Sequence, residues 1–358
     1  MSSKPNVSKP RSGATTIKDV AREAGVSVAS VSRVINGHDN VQADTRARIQ
    51  AVVERLRYSP HLGARELITR RSRVIGVLLP DLYGEFFSEL IRGIDGAARA
   101  RKLHLLLSSA HGDAAEMVAA IQSMRGRVEG LLIMAPHLDA SGISGRLSEP
   151  VPMVFMNSRV EGDLPSVSID SYAGARAMVR HLVSCGHRAI AHISGPVDNF
   201  DSHERCRGYQ DELAASLPGA SPLILPGDFG EASGHAAGLA LAARSPRPDA
   251  VFAANDMMAI GALSAFGSLG LEVPRDVAIA GFDDIPLAAF VRPALTTARV
   301  HIAELGRLAL RRVVASIELA LGQTPDDLDE LEPTRLTLQP EPVVRQSCGA
   351  PSLPLAKP

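Results

Sequence analysis

TIKDVAREAGVSVASVSRVING, residues 16–37, reads as two short helices joined by a tight turn. Ile17, Val20, Ala21 and Ala24 recur at i, i+3, i+4 and i+7, the spacing of one helical face. Thr16 with Asp19 three residues on is a capping-box pattern. Gly25 supplies the left-handed stop that ends such a helix. Ser27 then caps a second helix, with Val31, Val34 and Ile35 on its core side, and Asn36-Gly37 ends it. A third helix follows, capped by Asp44, with Ile49, Val52, Val53 and Leu56 as its apolar face. Three helices in about 45 residues make a head that is marginal by itself.

The second helix carries the chemistry. Val28, Ala29, Ser32 and Arg33 share a face turned away from Val31, Val34 and Ile35. A core does not require Val28 and Ala29 there. Small apolar side chains at the N-terminus of a helix in the DNA major groove can meet a thymine methyl, and an arginine one turn on can reach a guanine. Ser27, Ser30 and Ser32 are short donors suited to phosphates, which position the protein without specifying sequence. Thr16, Asn36 and Tyr58 complete the set expected from the head at the duplex.

Charge divides the chain in the same way. Residues 1–73 hold 14 Lys+Arg against 6 Asp+Glu, whereas the whole chain of 358 residues has a formal charge of −1. A basic head on a mildly acidic body suits a polyanion reader joined to something that is not one. Residues 1–14 read as a polar tail without the apolar core of a signal peptide. Cys185, Cys206 and Cys348 are far apart and show no CxxC spacing, which argues against a disulfide framework and a zinc site and suits the cytoplasm. No apolar run reaches the about 18 residues that span a membrane.

After a linker over 59–73 the pattern changes. Apolar runs at 74–79, 103–108, 130–135, 152–157, 189–194, 250–255 and 277–282 alternate with helical patterns such as 86–101, 171–184, 231–244, 257–269 and 302–321. This alternation predicts an α/β body over 74–346, with doubly wound parallel sheets in two lobes and a frayed tail over 347–358. Ligands of such sheets sit beyond the carboxyl ends of the strands, where Asp81, Asn157, Asp170, Asn255 and Asp283 fall. Arg205 offers a bidentate fork. Phe86 and Phe87 offer a stacking face. Asp284 reads as structural, as do His187 and His192. No phosphate loop, Ser-His-Asp motif or acidic metal cluster is visible, so no enzyme, cofactor or metal is expected.

The stretch 16–37, with RIQAVVERLRYSPHLGARELITRRSRVIGVLLPD (48–81), HLVSCGHRAIAHISGP, ANDMMAIGAL, LEVPRDVAIAGFDD and PALTT, resembles the lactose/galactose repressor family over nearly the whole chain. The resemblance implies a helix-turn-helix head, base contacts at Val28, Ala29 and Arg33, and a two-lobed domain like that of periplasmic sugar-binding proteins. The Val-Ala pair is similar to the galactose type of reader. The resemblance also implies a hinge helix that forms on DNA, with Ala64 at the duplex and Leu67 wedged into the minor groove. An apolar wedge unstacks a base step in exchange for a bent duplex that touches more protein. His61 in place of the usual Asn cap, and Gly63, make that helix more dependent on DNA. Phe86, Asn157, Arg205, Asn255 and Asp283 match the family's effector cleft. Residues 157–161 offer no aromatic where the purine type of the family would stack a base, which favours a sugar or sugar derivative as the effector.

The expectation is therefore a dimeric repressor on a palindromic operator, associated with the nucleoid when bound. Two weak heads on a two-fold site multiply affinity. A sugar-binding protein with an incidental basic head is the competing reading.

Overall fold

A computed structural model describes residues 15–35, 41–58, 71–110, 113–138, 151–160, 162–325 and 333–349. The expectations for residues 1–14, Asn36, His61, Gly63, Ala64 and Leu67 lie outside the described residues. The chain divides into two compact units, Met1–Ser72 and Arg73–Pro358.

The small unit holds α1 (Ile17–Ala24), α2 (Val28–Ile35) and α3 (Ala43–Arg55). Thr16 starts α1 with a complete capping box: its side chain accepts from the Asp19 amide, and Asp19 Oδ2 accepts from the Thr16 amide at 3.0 Å. Gly25 ends α1 at φ 61°. Its amide reaches back to Arg22 O while the Val26 amide reaches Ala21 O, the paired bonds of a Schellman stop. Ser27 Oγ accepts from the Ser30 amide at 3.1 Å, capping α2.

The core of this unit is Val20, Ala21, Ala24, Val31, Val34, Ile49, Val52 and Tyr58. Tyr58, expected at the duplex, is 8% exposed and belongs to that core. Its ring covers apolar surface that a head this small cannot leave bare. Asp44 is not the cap of α3: the helix begins one residue earlier, at Ala43 after Gln42, and Asp44 sits in its first turn. There its charge still complements the positive end of the helix. Thr16→Ala is expected to cost the head about 0.5–2 kcal/mol. Amide exchange over α1 should speed up while the large unit's melting stays unchanged.

The large unit runs β1 (Val74–Leu79), α4 (Glu85–Ala100), β2 (His104–Ser109), α5 (Ala114–Met124), β3 (Gly130–Met134), β4 (Met153–Met156), β5 (Ser166–Ile169), α6 (Ser171–Ser184), β6 (Ile190–Ile193), α7 (Phe200–Ser216), β7 (Leu223–Leu225), α8 (Glu231–Ala242), β8 (Ala250–Ala253), α9 (Asp256–Ser268), β9 (Ala278–Asp283), β10 (Thr296–Arg299), α10 (Ile302–Ala320), β11 (Arg335–Leu338) and β12 (Glu341–Val343). Two sheets form, in the orders β11-β5-β4-β3-β1-β2 and β12-β10-β9-β8-β6-β7. Every pairing is parallel except β10 with β12.

Central strands such as β3 and β8 are buried along their whole length, which is why they read as unbroken apolar runs. The chain passes between sheets at Asp170, at Val300-His301 and at Gln339-Pro340, so each lobe is assembled from separate stretches. Helix α10 returns to the first lobe and lies so close to α4 that a Cβ on Gly93 would stand 2.0 Å from the Ala303 carbonyl. Ser347, expected to begin a frayed tail, is fully buried. Its hydroxyl donates to Ile279 O at 2.6 Å and accepts from the Thr296 amide at 2.8 Å, which ties the chain down. No helix among the described residues is long and apolar enough to cross a membrane.

Candidate functional site

On α2, Val28, Ala29 and Arg33 are exposed, while Val31 and Val34 are buried. Val28 is 41% exposed, so the head leaves an apolar side chain in water at the start of a helix. Ser27 and Ser30 flank it, their hydroxyls 2.9 Å apart. Ser32 is half-buried and Thr16 exposed. The face can offer an apolar contact and a guanidinium, one turn apart, to a groove.

In the large unit a cavity of about 510 Å³ opens where the strand ends of both sheets converge. That volume suits a small molecule. Asp81, Phe86, Asn157, Arg205, Asn255 and Asp283 all line it. Asp170 does not. Its carboxylate caps α6, accepting from the Ala173 amide at 2.9 Å, because it stands where β5 hands over to a helix with an amide needing a partner.

Arg205 is the centre of the cleft. It projects from α7 and is 4% exposed. Nη1 donates to Ala254 O at 2.6 Å and stands 3.4 Å from Asp283 Oδ1, and Nε donates to Ser171 Oγ at 3.3 Å. Its guanidinium lies 3.9 Å from the centroid of Phe282, whose ring fixes its plane. Ser171 Oγ donates in turn to Asp201 Oδ1 at 2.9 Å.

Asp283 ends β9 in the left-handed region at φ 117°, a costly conformation for a residue with a Cβ. Its Oδ1 is buried yet makes no hydrogen bond, since the approach of Arg205 lacks the required geometry. Burial pushes the carboxyl up to about 7, against the opposing pull of Arg205 and with the help of the nearby Asp201 charge. Burial also pushes Asp201 up.

The remaining groups orient the cleft. Asn255 Oδ1 caps α9 by accepting from the Met258 amide at 3.0 Å, and its Nδ2 donates to Phe229 O at 2.8 Å. Asn157, at φ 39°, accepts from the Ile169 amide at 3.0 Å. Asp81 Oδ1 accepts from the Leu82 and Tyr83 amides at 2.6 and 3.0 Å, shaping the loop that presents Phe86. Phe86 and Phe87 meet edge to face, their centroids 5.5 Å apart. Tyr83 Oη donates to Glu231 Oε1 at 3.3 Å, from one lobe to the other, and the Phe200 amide donates to Pro136 O at 2.9 Å. Carboxylates, amides and a guanidinium between aromatic faces suit a ligand rich in hydroxyls.

The sequence gives no sign of Asp201, Ser171, Phe229 and His137, since each gains its place from partners distant in the chain or in the other lobe. Asp284 is structural: Arg299 Nε and Arg345 Nη2 each donate to it at 2.7 Å. His192 stacks between Tyr209 and Phe252, and burial lowers it to about 4.

The Asp283 carboxyl sets a pH signature. Its folded value of about 7 exceeds the ordinary 3.8, so its contribution to stability is complete at low pH and is lost as pH rises toward 7. Each unit corresponds to about 1.4 kcal/mol. Asp283→Asn removes this dependence. Its melting temperature, relative to the parent without ligand, is expected to become more favourable from pH 4 to pH 7 and then level off. A difference that does not vary with pH would count against this assignment.

A capped helix-turn-helix head joined to a two-lobed, cleft-bearing α/β unit defines a class, and the comparisons agree with it. Residues 16–61 match the model of bacterial regulatory proteins of the lacI family, and residues 179–348 match that of the periplasmic binding protein-like domain. The ribose operon repressor of Escherichia coli K12 is 36% identical over 300 residues, 82% of this chain and 91% of its own length. The lac repressor dimer bound to operator and the anti-inducer ONPF superposes with a TM-score of 0.82 at 28% identity, over 94% of this chain and all of that one. The complex of the transcriptional regulator CelR with cellobiose superposes with a TM-score of 0.67 at 31% identity, over 93% of this chain and 99% of that one. The chain belongs to the lacI family of bacterial regulatory proteins.

Proposed function

We propose that this protein is a repressor that binds a palindromic operator as a homodimer and answers to a sugar or sugar derivative held in the cleft. The observation that carries the reading is the exposed Val28-Ala29-Arg33 face, which the head's own core does not use. The operator complex of the lac repressor dimer and the cellobiose complex of CelR support the two halves of the proposal. Val28, Ala29 and Arg33 read bases, and Thr16, Ser27, Ser30 and Ser32 meet phosphates. In the cleft, Arg205 and Asp283 bind vicinal hydroxyls while Phe86 and Phe229 cover the sugar's apolar faces. A hydroxyl donating to Asp283 Oδ1 supplies the partner that this buried oxygen lacks. The effector acts by binding one arrangement of the lobes better than the other.

The test is a thermal-shift screen of the full chain against a sugar library. A ligand at 100 times its dissociation constant stabilises by about 2.7 kcal/mol. The hit is then added to an operator-binding titration, where it should change the affinity. No stabilising sugar, or a stabilising sugar without effect on DNA binding, would refute the coupling.

A further inference from the structure

We propose that His181, Cys185 and Cys348 form a binding site for a zinc-class ion in the second lobe, away from the cleft. Cysteine spacing argues against zinc, but it looks only along the chain. The fold brings Cys348, from the stretch after β12, against the C-terminal end of α6. His181 lies in the last turn of that helix, and Cys185 follows at i+4 on the same face.

The ligand atoms of all three lie within 4.8 Å of one another. His181 Nε2 is 3.3 Å from Cys348 Sγ and 3.6 Å from Cys185 Sγ. Tetrahedral zinc, with bonds of about 2.3 Å to sulfur and about 2.05 Å to nitrogen, separates such atoms by about 3.6 Å. The imidazole thus already stands from each sulfur at nearly the separation the ion requires, and the two sulfurs lie within 4.8 Å of one another.

The backbone of Cys348 is tied on both sides. Ser347, next to Cys348, is held by Ile279 O and the Thr296 amide. His187 Nε2 lies 2.9 Å from the Cys348 carbonyl and holds the backbone on its other side. Two thiolates and an imidazole are a soft donor set that selects zinc over magnesium or calcium. The carbonyl end of α6 adds a field that favours a cation. Cys348 is buried while His181 and Cys185 are half-buried, so the ion has a way in and a position for water as a fourth ligand. Binding releases the thiol protons to solvent and changes no oxidation state.

The ion would staple the C-terminal stretch to α6, whose other end carries Ser171 beside Arg205. None of the three cysteines is in a disulfide.

The experiment uses untagged, reduced full-length protein titrated with cobalt(II). The expected result is uptake of about one ion per chain, with a sulfur-to-cobalt charge-transfer band and the visible bands of tetrahedral cobalt, all displaced by zinc. Zinc should raise the melting temperature, and a chelator should reverse the rise. Cys185→Ser and His181→Gln, each verified as folded by circular dichroism, should weaken uptake at least tenfold, whereas Cys206→Ser should leave it unchanged. Absence of cobalt bands, uptake unaltered in both ligand variants, or a Cys185–Cys348 disulfide in purified protein with no metal uptake after reduction would each overturn the proposal.

Discussion

Arg205→Met is expected to abolish the response to the effector and to lower stability more than any other single change in the cleft. The guanidinium pulls on both Asp201 and Asp283, and all three side chains are buried. Removing one partner from such a cluster costs about 3–5 kcal/mol, because the charges left behind have no compensation. The carboxyls respond by keeping their protons, so the loss has a definite sign in pH. At pH 5 the Asp283 carboxyl, at about 7 in the parent, is already neutral in the folded chain, and the variant gives up little there. Above pH 7 the parent holds it charged against Arg205, and the variant cannot. The gap between parent and variant melting temperatures should therefore widen from pH 5 to pH 8. Methionine keeps most of the side-chain volume, which separates lost charge from a cavity. A variant that keeps normal sugar affinity, or whose deficit is the same at both pH values, would show that the cleft is organised elsewhere.

Arg33→Ala is the second large effect, and it appears in the DNA rather than in the fold. Arg33 is exposed on α2 and outside the head's core, so melting should change by less than about 0.5 kcal/mol. Loss of a bidentate guanine contact costs about 1–3 kcal/mol, roughly 5-fold to 150-fold in affinity, at one base pair of each half-site. The variant should cease to discriminate at that pair while keeping its preferences elsewhere. Uniform weakening over all sequences, with a shallower salt dependence, would instead make Arg33 a phosphate contact.

Legibility in the sequence followed how local each cause is. The head's first two helices read directly, because the Thr16 box, the Gly25 stop and the Ser27 cap are short-range devices. Asp44 misled because an acidic residue serves both as a cap and as a first-turn charge, and only the backbone distinguishes them. The central strands were legible as apolar runs. The short strands β7, β10, β11 and β12 were not, since three or four residues, several of them polar or at a sheet edge, carry too little pattern. Arg205 reads as the start of a helix, but α7 already begins at Phe200, because its first turns bury Asp201 and Arg205 where a core helix ordinarily shows apolar residues.

In the cleft, strand-end position picked out Asn157, Asn255 and Asp283, but it picked out Asp170 for the same reason. A carboxylate at the end of a strand that leads into a helix meets either a ligand or an amide, and the choice is made by which way the loop turns. Ser347 and Cys348 looked like tail because their partners, Ile279, Thr296 and His181, are distant in the chain.

A sequence-reading head and a sugar cleft that act as one device must each respond to the other's ligand. The most direct test is fluorescence anisotropy of the full chain on a palindromic operator and on its scrambled counterpart, at fixed salt, with and without the stabilising sugar. At least about a thousandfold preference for the operator is expected. The sugar should shift the operator affinity of the parent and leave that of Arg205→Met unmoved, the signature of this coupling. Equal affinity for both duplexes, or a sugar effect that survives the loss of Arg205, would contradict it.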